Sequence, residues 1–260
     1  MAISFKRKPG LVAYITCGDP NLEVSRDVAL AAIAAGAEVI ELGVPFSDPV
    51  ADGPVIQRAS ERSLKNGTNL DSVLQIAKEI REQSDAGLIV FSYMNPILQF
   101  GLDRFCSSIA AAGADGALVT DLPVEEAGDY LRTMKARKLA PVFLAAPTST
   151  ESRLRDIARV SRGFVYAISR TGITGTRQEL AADARLLVER LRVLTNLPLA
   201  VGFGISNAEQ FAEVGDFADA AVIGSAIVQT VERNPGREAQ AVSEFVSSLA
   251  GVKRQAGVVS

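Results

Sequence analysis

Eight times along this chain a short, nearly unbroken apolar run is followed by a longer amphipathic stretch, and this alternation constrains the fold more than any other feature. The runs are Leu11–Thr16, Val39–Leu42, Leu88–Ser92, Gly116–Val119, Pro141–Ala145, Phe164–Ile168, Leu199–Gly202 and Ala220–Ile223. Helical patterns fall between them, at about Leu22–Ala35, Leu70–Ser84, Leu102–Ala112, Glu125–Arg137, Ser152–Val160, Gln178–Leu194, Ala208–Val214 and Ser225–Glu232. Continuous apolar runs mark parallel strands that are covered on their outer face. Eight units in 260 residues match the size of a (β/α)8 barrel, typically ~250 residues. The sequence therefore predicts an α/β fold, a (β/α)8 TIM barrel forming a single domain over residues 1–250, with a frayed tail at 251–260. Two extra helices are expected, at Pro54–Asn66 and Ala239–Leu249. An internal echo supports the repeat: Ala34-Ala35-Gly36-Ala37-Glu38 and Ala111-Ala112-Gly113-Ala114-Asp115 each put glycine at a left-handed helix stop before a short strand.

Composition narrows the chemistry. There is no histidine, which excludes a Ser-His-Asp triad, a Cys-His pair and any histidine metal ligand. Proton transfer near neutral pH then falls to carboxylates, tyrosine, lysine, cysteine or a cofactor. A net charge of −3 gives no basic field for nucleic acid. Cys17 and Cys106 have no metal-type spacing and read as reduced thiols. Lys6, Arg7 and Lys8 are not followed by the apolar segment of a signal peptide, and no run approaches the ~20 apolar residues of a membrane span. A cytoplasmic protein without a metal site is expected.

Active sites of such barrels lie at the carboxyl ends of the strands. Glu41 interrupts the second apolar run. With Ile40 and Leu42 packed on helices, period-two alternation points Glu41 into the barrel, where lost hydration raises a carboxyl pKa into the acid–base range. The competing reading is a glutamate paired with an Arg or Lys. Asp48 and Asp52 follow in a proline-stiffened loop; Asp52 before Gly53 is either a turn residue or a second carboxylate set opposite Glu41. Three late strand ends carry glycine: Ser169–Gly175, Gly202–Ser206 and Gly224-Ser225. The last runs straight into a helix, as a phosphate cradle requires. Tyr166 is a substrate hydrogen-bonder or a satisfied core tyrosine, and Arg170 a guard of the phosphate or a solvated loop residue. Asp121, Glu125 or Glu126 can cap the helix that follows them. Tyr93-Met94-Asn95-Pro96 breaks off the third strand and is expected to expose its side chains at the barrel mouth.

These motifs resemble one family closely, the α subunit of tryptophan synthase. The matching stretches are Gly18-Asp19-Pro20, the fourteen residues from Glu41 to Pro54, Tyr93–Pro96, Asp121–Glu126, Ser169–Gly175, Gly202–Ser206 and Gly224-Ser225-Ala226, in family order across nearly the whole chain. The resemblance implies a lyase that splits indole-3-glycerol phosphate into indole and glyceraldehyde 3-phosphate by a retro-aldol reaction. It implies that Glu41 and Asp52 are the catalytic carboxylates and that Tyr166 is an active-site tyrosine. Phe203 would lie beside the indole ring, and Gly175, Gly204, Gly224 and Ser225 would hold the phosphate. It further implies an αββα assembly with a β subunit faced by Asp48, Tyr93, Asn95, Asp121 and Pro123. Pyridoxal phosphate is expected only in that β subunit, and no cofactor in this chain. Cys17 stands where a small residue is common in the family and is expected to pack as one. A self-sufficient indole-releasing lyase would use the same residues. Another phosphate-binding isomerase would give no reason for the pair Glu41 and Asp52, and a purely regulatory subunit none for intact catalytic positions.

Overall fold

The structure is a computed structural model that describes residues 3–168 and 177–251. Its strands are β1 (Gly10–Thr16), β2 (Val39–Gly43), β3 (Gly87–Ser92), β4 (Gly116–Val119), β5 (Ala140–Val142), β6 (Leu144–Ala145), β7 (Val165–Ile168), β8 (Leu199–Gly202) and β9 (Ala220–Ile223). All pair in parallel, in the order β5-β4-β3-β2-β1-β9-β8-β7-β6. The two ends of this sheet, β5 and β6, are consecutive in the chain and separated only by Phe143. The fifth expected strand is thus broken in two: its first half pairs with β4 and its second with β7. Backbone N–H groups of Arg162 and Tyr166 donate to the carbonyls of Pro141 and Phe143, at 2.9 and 3.1 Å, across the join. The ring of the TIM barrel closes there.

Strand parity divides the core in two. Val12, Val39, Ile89, Leu118, Val142, Phe164, Ala200, Ala220 and Val222 fill the barrel interior. Their neighbours Leu11, Ala13, Ile40, Leu42, Leu88 and Val90 pack outward with the helices. The helical layer holds α1 (Leu22–Ala35), α2 (Pro54–Lys65), α3 (Leu70–Arg81), α4 (Met94–Phe100), α5 (Leu102–Ala111), α6 (Gly128–Ala136), α7 (Glu151–Val160), α8 (Arg177–Arg192), α9 (Ala208–Val214), α10 (Ser225–Arg233) and α11 (Glu238–Ala250). The extra helices expected at Pro54–Asn66 and Ala239–Leu249 are α2 and α11. The side chains of Asn21, Asn69 and Asn207 each accept the N–H three residues on and so start α1, α3 and α9. Gly36 (φ 117°) and Gly113 (φ 78°) take the left-handed conformation that the repeated Ala-Gly-Ala motif called for.

β3 ends at Ser92, where Tyr93–Pro96 is expected to break it off, and α4 begins at once at Met94, because Pro96 lies in the first turn, where its missing N–H costs no helical bond. One local expectation is corrected. The helix expected from Glu125 is split into a 3-10 turn at Val124–Glu126 and α6, which starts at Gly128.

The loop after β1 and helices α2 and α10 meet in a charged knot. Arg62 of α2 donates to both carboxylate oxygens of Asp19, each at 2.8 Å, and to Glu232 of α10 at 2.8 Å. Arg58 adds two bonds to Glu232, at 3.1 and 3.0 Å. The Asp19 side chain is only 3% exposed, so removing Arg62 strands a buried charge. We expect Arg62→Met to cost about 2–3 kcal/mol, below the ~3–5 typical of fully buried pairs because Arg62 is itself partly solvated. The urea midpoint measures it; an unchanged midpoint would show the knot to be inert.

Candidate active site

The carboxyl ends of β1, β2 and β7 bring titratable groups into the mouth. Glu41 pairs in register with Tyr14 on β1 and Ile89 on β3, and all three face the interior. Glu41 is fully buried, and neither carboxylate oxygen has a hydrogen-bond partner among the described residues. The Arg or Lys partner of the competing reading is thus not found among them. Desolvation alone pushes the Glu41 carboxyl up to about 8. Asp52, half-buried in the loop before α2, is pushed up to about 6 by burial, against a hydrogen bond from Tyr93 that favours its ionised form.

Two tyrosines feel the charge of both carboxylates. Tyr14 and Tyr166 are both raised above the ordinary phenol range, first by burial and then by the negative charges of Glu41 and Asp52. Both carboxylates therefore act on the same pair of phenols. Each tyrosine leans diagonally onto a glycine of the next strand. A Cβ at Gly43 would collide with the Tyr14 hydroxyl, and one at Gly202 would lie 2.6 Å from the Tyr166 hydroxyl. Gly43 and Gly202 are the register partners of Thr16 and Ile168, two residues beyond the tyrosines. The Tyr14 ring meets Phe91 edge-on at 5.1 Å and packs among Val55, Ile56 and Ala59 of α2 and Val228 of α10.

The glycine turns lie beside this cluster. Gly204, exposed at φ 78°, follows half-buried Phe203, and nothing lies within 4 Å of where its Cβ would be. A cleft of about 570 Å³ opens here, lined by Phe203, Gly204 and, from α8, Ala181 and Arg185. Helix α10 starts at exposed Ser225 after Gly224, with no side-chain cap and no acidic residue in its first turn. Gly224 lies beside Tyr14: its Cβ would be 3.6 Å from that of Tyr14. Gly175 and Arg170 lie outside the described residues. Among those described, no group of three or more Cys, Asp or Glu side chains is gathered as a metal site.

Of the residues expected at the rim, Asp48, Asn95 and Asp121 are exposed and Pro123 is half-buried. Tyr93 departs from the expected exposure: it is 2% exposed, its ring is stacked on Phe46 at 5.2 Å, and its hydroxyl accepts the Ala51 N–H at 3.0 Å. Asp121 accepts the Met94 N–H at 2.7 Å, so it caps α4 rather than the helix after it. Cys17 is fully buried and free, as expected of a packed small residue. Sequence reasoning missed Tyr14. The parity that turned Glu41 inward, applied to β1, would have placed it next to Glu41.

Fold and site together define a (β/α)8 barrel enzyme whose mouth gathers two carboxylates with raised pKa values. The family model for the tryptophan synthase alpha chain matches residues 2–256. The chain is 53% identical over 229 residues to the tryptophan synthase alpha chain of Solibacter usitatus, covering 88% of this chain and 86% of that one. It is 44% identical over 244 residues to that of Geotalea daltonii, covering 94% and 92%. A solved structure of tryptophan synthase from Mycobacterium tuberculosis superposes with a TM-score of 0.87 at 34% identity, covering 94% of this chain and 91% of that one. The chain belongs to the tryptophan synthase alpha chain family, and with it to tryptophan biosynthesis. Among the described residues no helix is long and apolar enough to cross a membrane.

The buried carboxyl has a stability signature. Glu41 holds its proton more tightly in the folded chain (about 8) than at its ordinary 4.5. Its contribution to stability is therefore whole below about pH 4.5 and is lost as the pH rises toward 8. Relative to the unsubstituted protein, Glu41→Gln should gain roughly 2–4 kcal/mol between pH 4.5 and 8. Chemical denaturation at the two pH values measures this; a pH-independent difference would show that Glu41 is ionised in the fold.

Proposed function

We propose that this chain cleaves indole-3-glycerol phosphate to indole and D-glyceraldehyde 3-phosphate. The observation that carries the proposal is Glu41: a fully buried carboxyl, unpartnered among the described residues, that shares two tyrosines with Asp52. A carboxyl with a pKa near 8 is protonated at neutral pH and can serve as an acid. Glu41 delivers its proton to indole C3, giving an indolenine cation. The ring N–H of that cation points at Asp52, which is ionised above about pH 6 and stabilises the positive charge. The Glu41 carboxylate so formed then removes the proton of the adjacent glycerol hydroxyl. The carbonyl forms, the C3–C bond breaks, its electron pair restores the aromatic indole, and Glu41 is protonated again. One residue thus acts as acid and then as base, and no histidine is needed.

Binding follows from the rest of the mouth. Gly204, Gly224 and Ser225 offer backbone N–H groups and a helix N-terminus to the phosphate, and we assign Gly175 to the same role. Phe203 takes the face of the indole, and the Tyr166 hydroxyl bonds the glycerol chain. Phosphate binding supplies remote energy that holds the ring between the carboxylates. The exposed residues Asp48, Asn95 and Asp121, with half-buried Pro123 and with Val50 at 85% exposure, form the face for a tryptophan synthase β subunit in an αββα assembly. In this reading the chain needs no cofactor of its own, pyridoxal phosphate belongs to the β subunit, and the complex works in the cytoplasm.

The test is to supply indole-3-glycerol phosphate to the purified chain and follow glyceraldehyde 3-phosphate, with and without a β subunit. Weak turnover raised strongly by the partner is expected. No turnover in either case would refute the reading, and high turnover by the chain alone would make it a self-sufficient lyase. General acid–base groups contribute ~10²–10⁴-fold, so Glu41→Gln should lose at least ~10² in kcat. Asp52→Asn should also be severe, whereas a mere turn aspartate would tolerate it.

A further inference from the structure

The least expected contact in the mouth belongs to Tyr93. Its ring is buried against Phe46, and its hydroxyl reaches back to the loop that carries Asp52. The Ala51 N–H donates to the phenol oxygen at 3.0 Å. That bond uses a lone pair of the oxygen and leaves the phenol proton free for an acceptor, with the Asp52 carboxylate and the Thr120 side chain both near enough to act on the phenol. The backbone of Tyr93 is fixed in turn, because it immediately precedes α4, whose first N–H is held by Asp121. The loop is also held from α2, where Gln57 Nε2 donates to the Asp52 carbonyl at 2.8 Å. Its internal backbone bonds are those from Val50 to Asp48 and from Asp52 to Pro49, and its tip at Val50 stands in solvent.

We propose that Tyr93 is a positioning residue: its hydroxyl, anchored by the Ala51 N–H, donates to the Asp52 carboxylate, aims it into the mouth and keeps it ionised. This inference rests on the role proposed for Asp52 above. A hydrogen bond to the charged form of an acid favours that form, so Tyr93 counteracts the desolvation that drives Asp52 toward its neutral state. The other titratable groups facing Asp52 are Tyr14 on β1 and Tyr166 on β7, which also face Glu41. None of these is a cation, so no positive charge from them takes over when the Tyr93 hydroxyl is lost. A neutral Asp52 could not stabilise the indolenine cation, so the grip decides the pH range in which the site works.

Tyr93→Phe removes the hydroxyl and keeps the ring on Phe46. The Asp52 carboxyl is followed by carbon-13 NMR on protein labelled at the aspartate carboxyls, its signal identified by its loss in Asp52→Asn. From a midpoint of about 6 in the unsubstituted protein, we expect Tyr93→Phe to move the titration upward by roughly one pH unit. The acid limb of kcat for indole-3-glycerol phosphate should move with it, while KM changes less than about threefold, since the phosphate contacts are untouched. A loss of packing alone would lower stability and leave the limb in place. Site-specific 3-fluorotyrosine at position 93, a stronger donor of nearly the same shape, should move both midpoints down, and it serves if Tyr93→Phe folds poorly. An Asp52 midpoint unmoved in either variant overturns the proposal. The NMR titration decides this without turnover, so an unsubstituted chain that failed to cleave the substrate would sink the lyase reading separately.

Discussion

A closed parallel sheet encloses a fixed volume, and every inward side chain competes for it. Here closure depends on the bend at Phe143, where one strand pairs with β4 by its first half and with β7 by its second. Once the ring is shut, the lower interior is filled by Val12, Val39, Ile89, Leu118, Val142 and Phe164. Toward the carboxyl ends the filling changes to two tyrosines, and space for them exists because glycine stands at 43 and 202. Glu41 sits in this same crowded region. Its raised pKa follows directly from the packing that excludes water around it.

The mouth is therefore assembled from opposing demands. Folding would be better served by an apolar residue at 41, since a buried unpaired carboxyl adds a desolvation penalty and no compensating bond. The surroundings make up for this with well-satisfied polar links placed away from the reacting centre. Arg62 ties the β1 loop to α2 and α10, and thereby fixes the helix that begins just after Asp52 against the one that begins at Ser225. Tyr93 holds the loop before α2 through the Ala51 N–H, and Asp121 holds the start of α4 that follows Tyr93.

Much of this was legible in the sequence because it depends on period and parity. Continuous apolar runs gave parallel strands within a residue or two, and alternation about Ile40 and Leu42 turned Glu41 inward. What was illegible depends on distances between remote segments. Pro96 looked like a breaker because its place in the first turn of α4 is set by tertiary packing. Tyr93 read as a rim residue because nothing local says that its hydroxyl meets residues 51 and 52, more than forty positions earlier. The break at Phe143 was hidden inside one apolar run, since pairing with two different neighbours leaves no mark on composition. Asp52 was ambiguous for a related reason: a turn aspartate and a site aspartate share the same neighbours in sequence.

The pair of raised carboxyls has one more consequence in a chain with no histidine. Ordinary carboxylates are almost fully ionised above about pH 6 and lysines begin to titrate above about 9, and histidine normally crowds the interval between. Both thiols are buried and pushed up as well, Cys106 to about 11, and the tyrosines around the site rise above their usual range. The interval between roughly pH 6 and 9 is thus left, among the described side chains, chiefly to Glu41 and the upper half of the Asp52 titration. In most enzymes of this size the protons exchanged by two active-site groups are lost in the background of the whole molecule. In this one few other side chains share that interval, so a bulk proton-uptake curve above about pH 6 carries a larger share from Asp52 and Glu41 than it would in a chain rich in histidine.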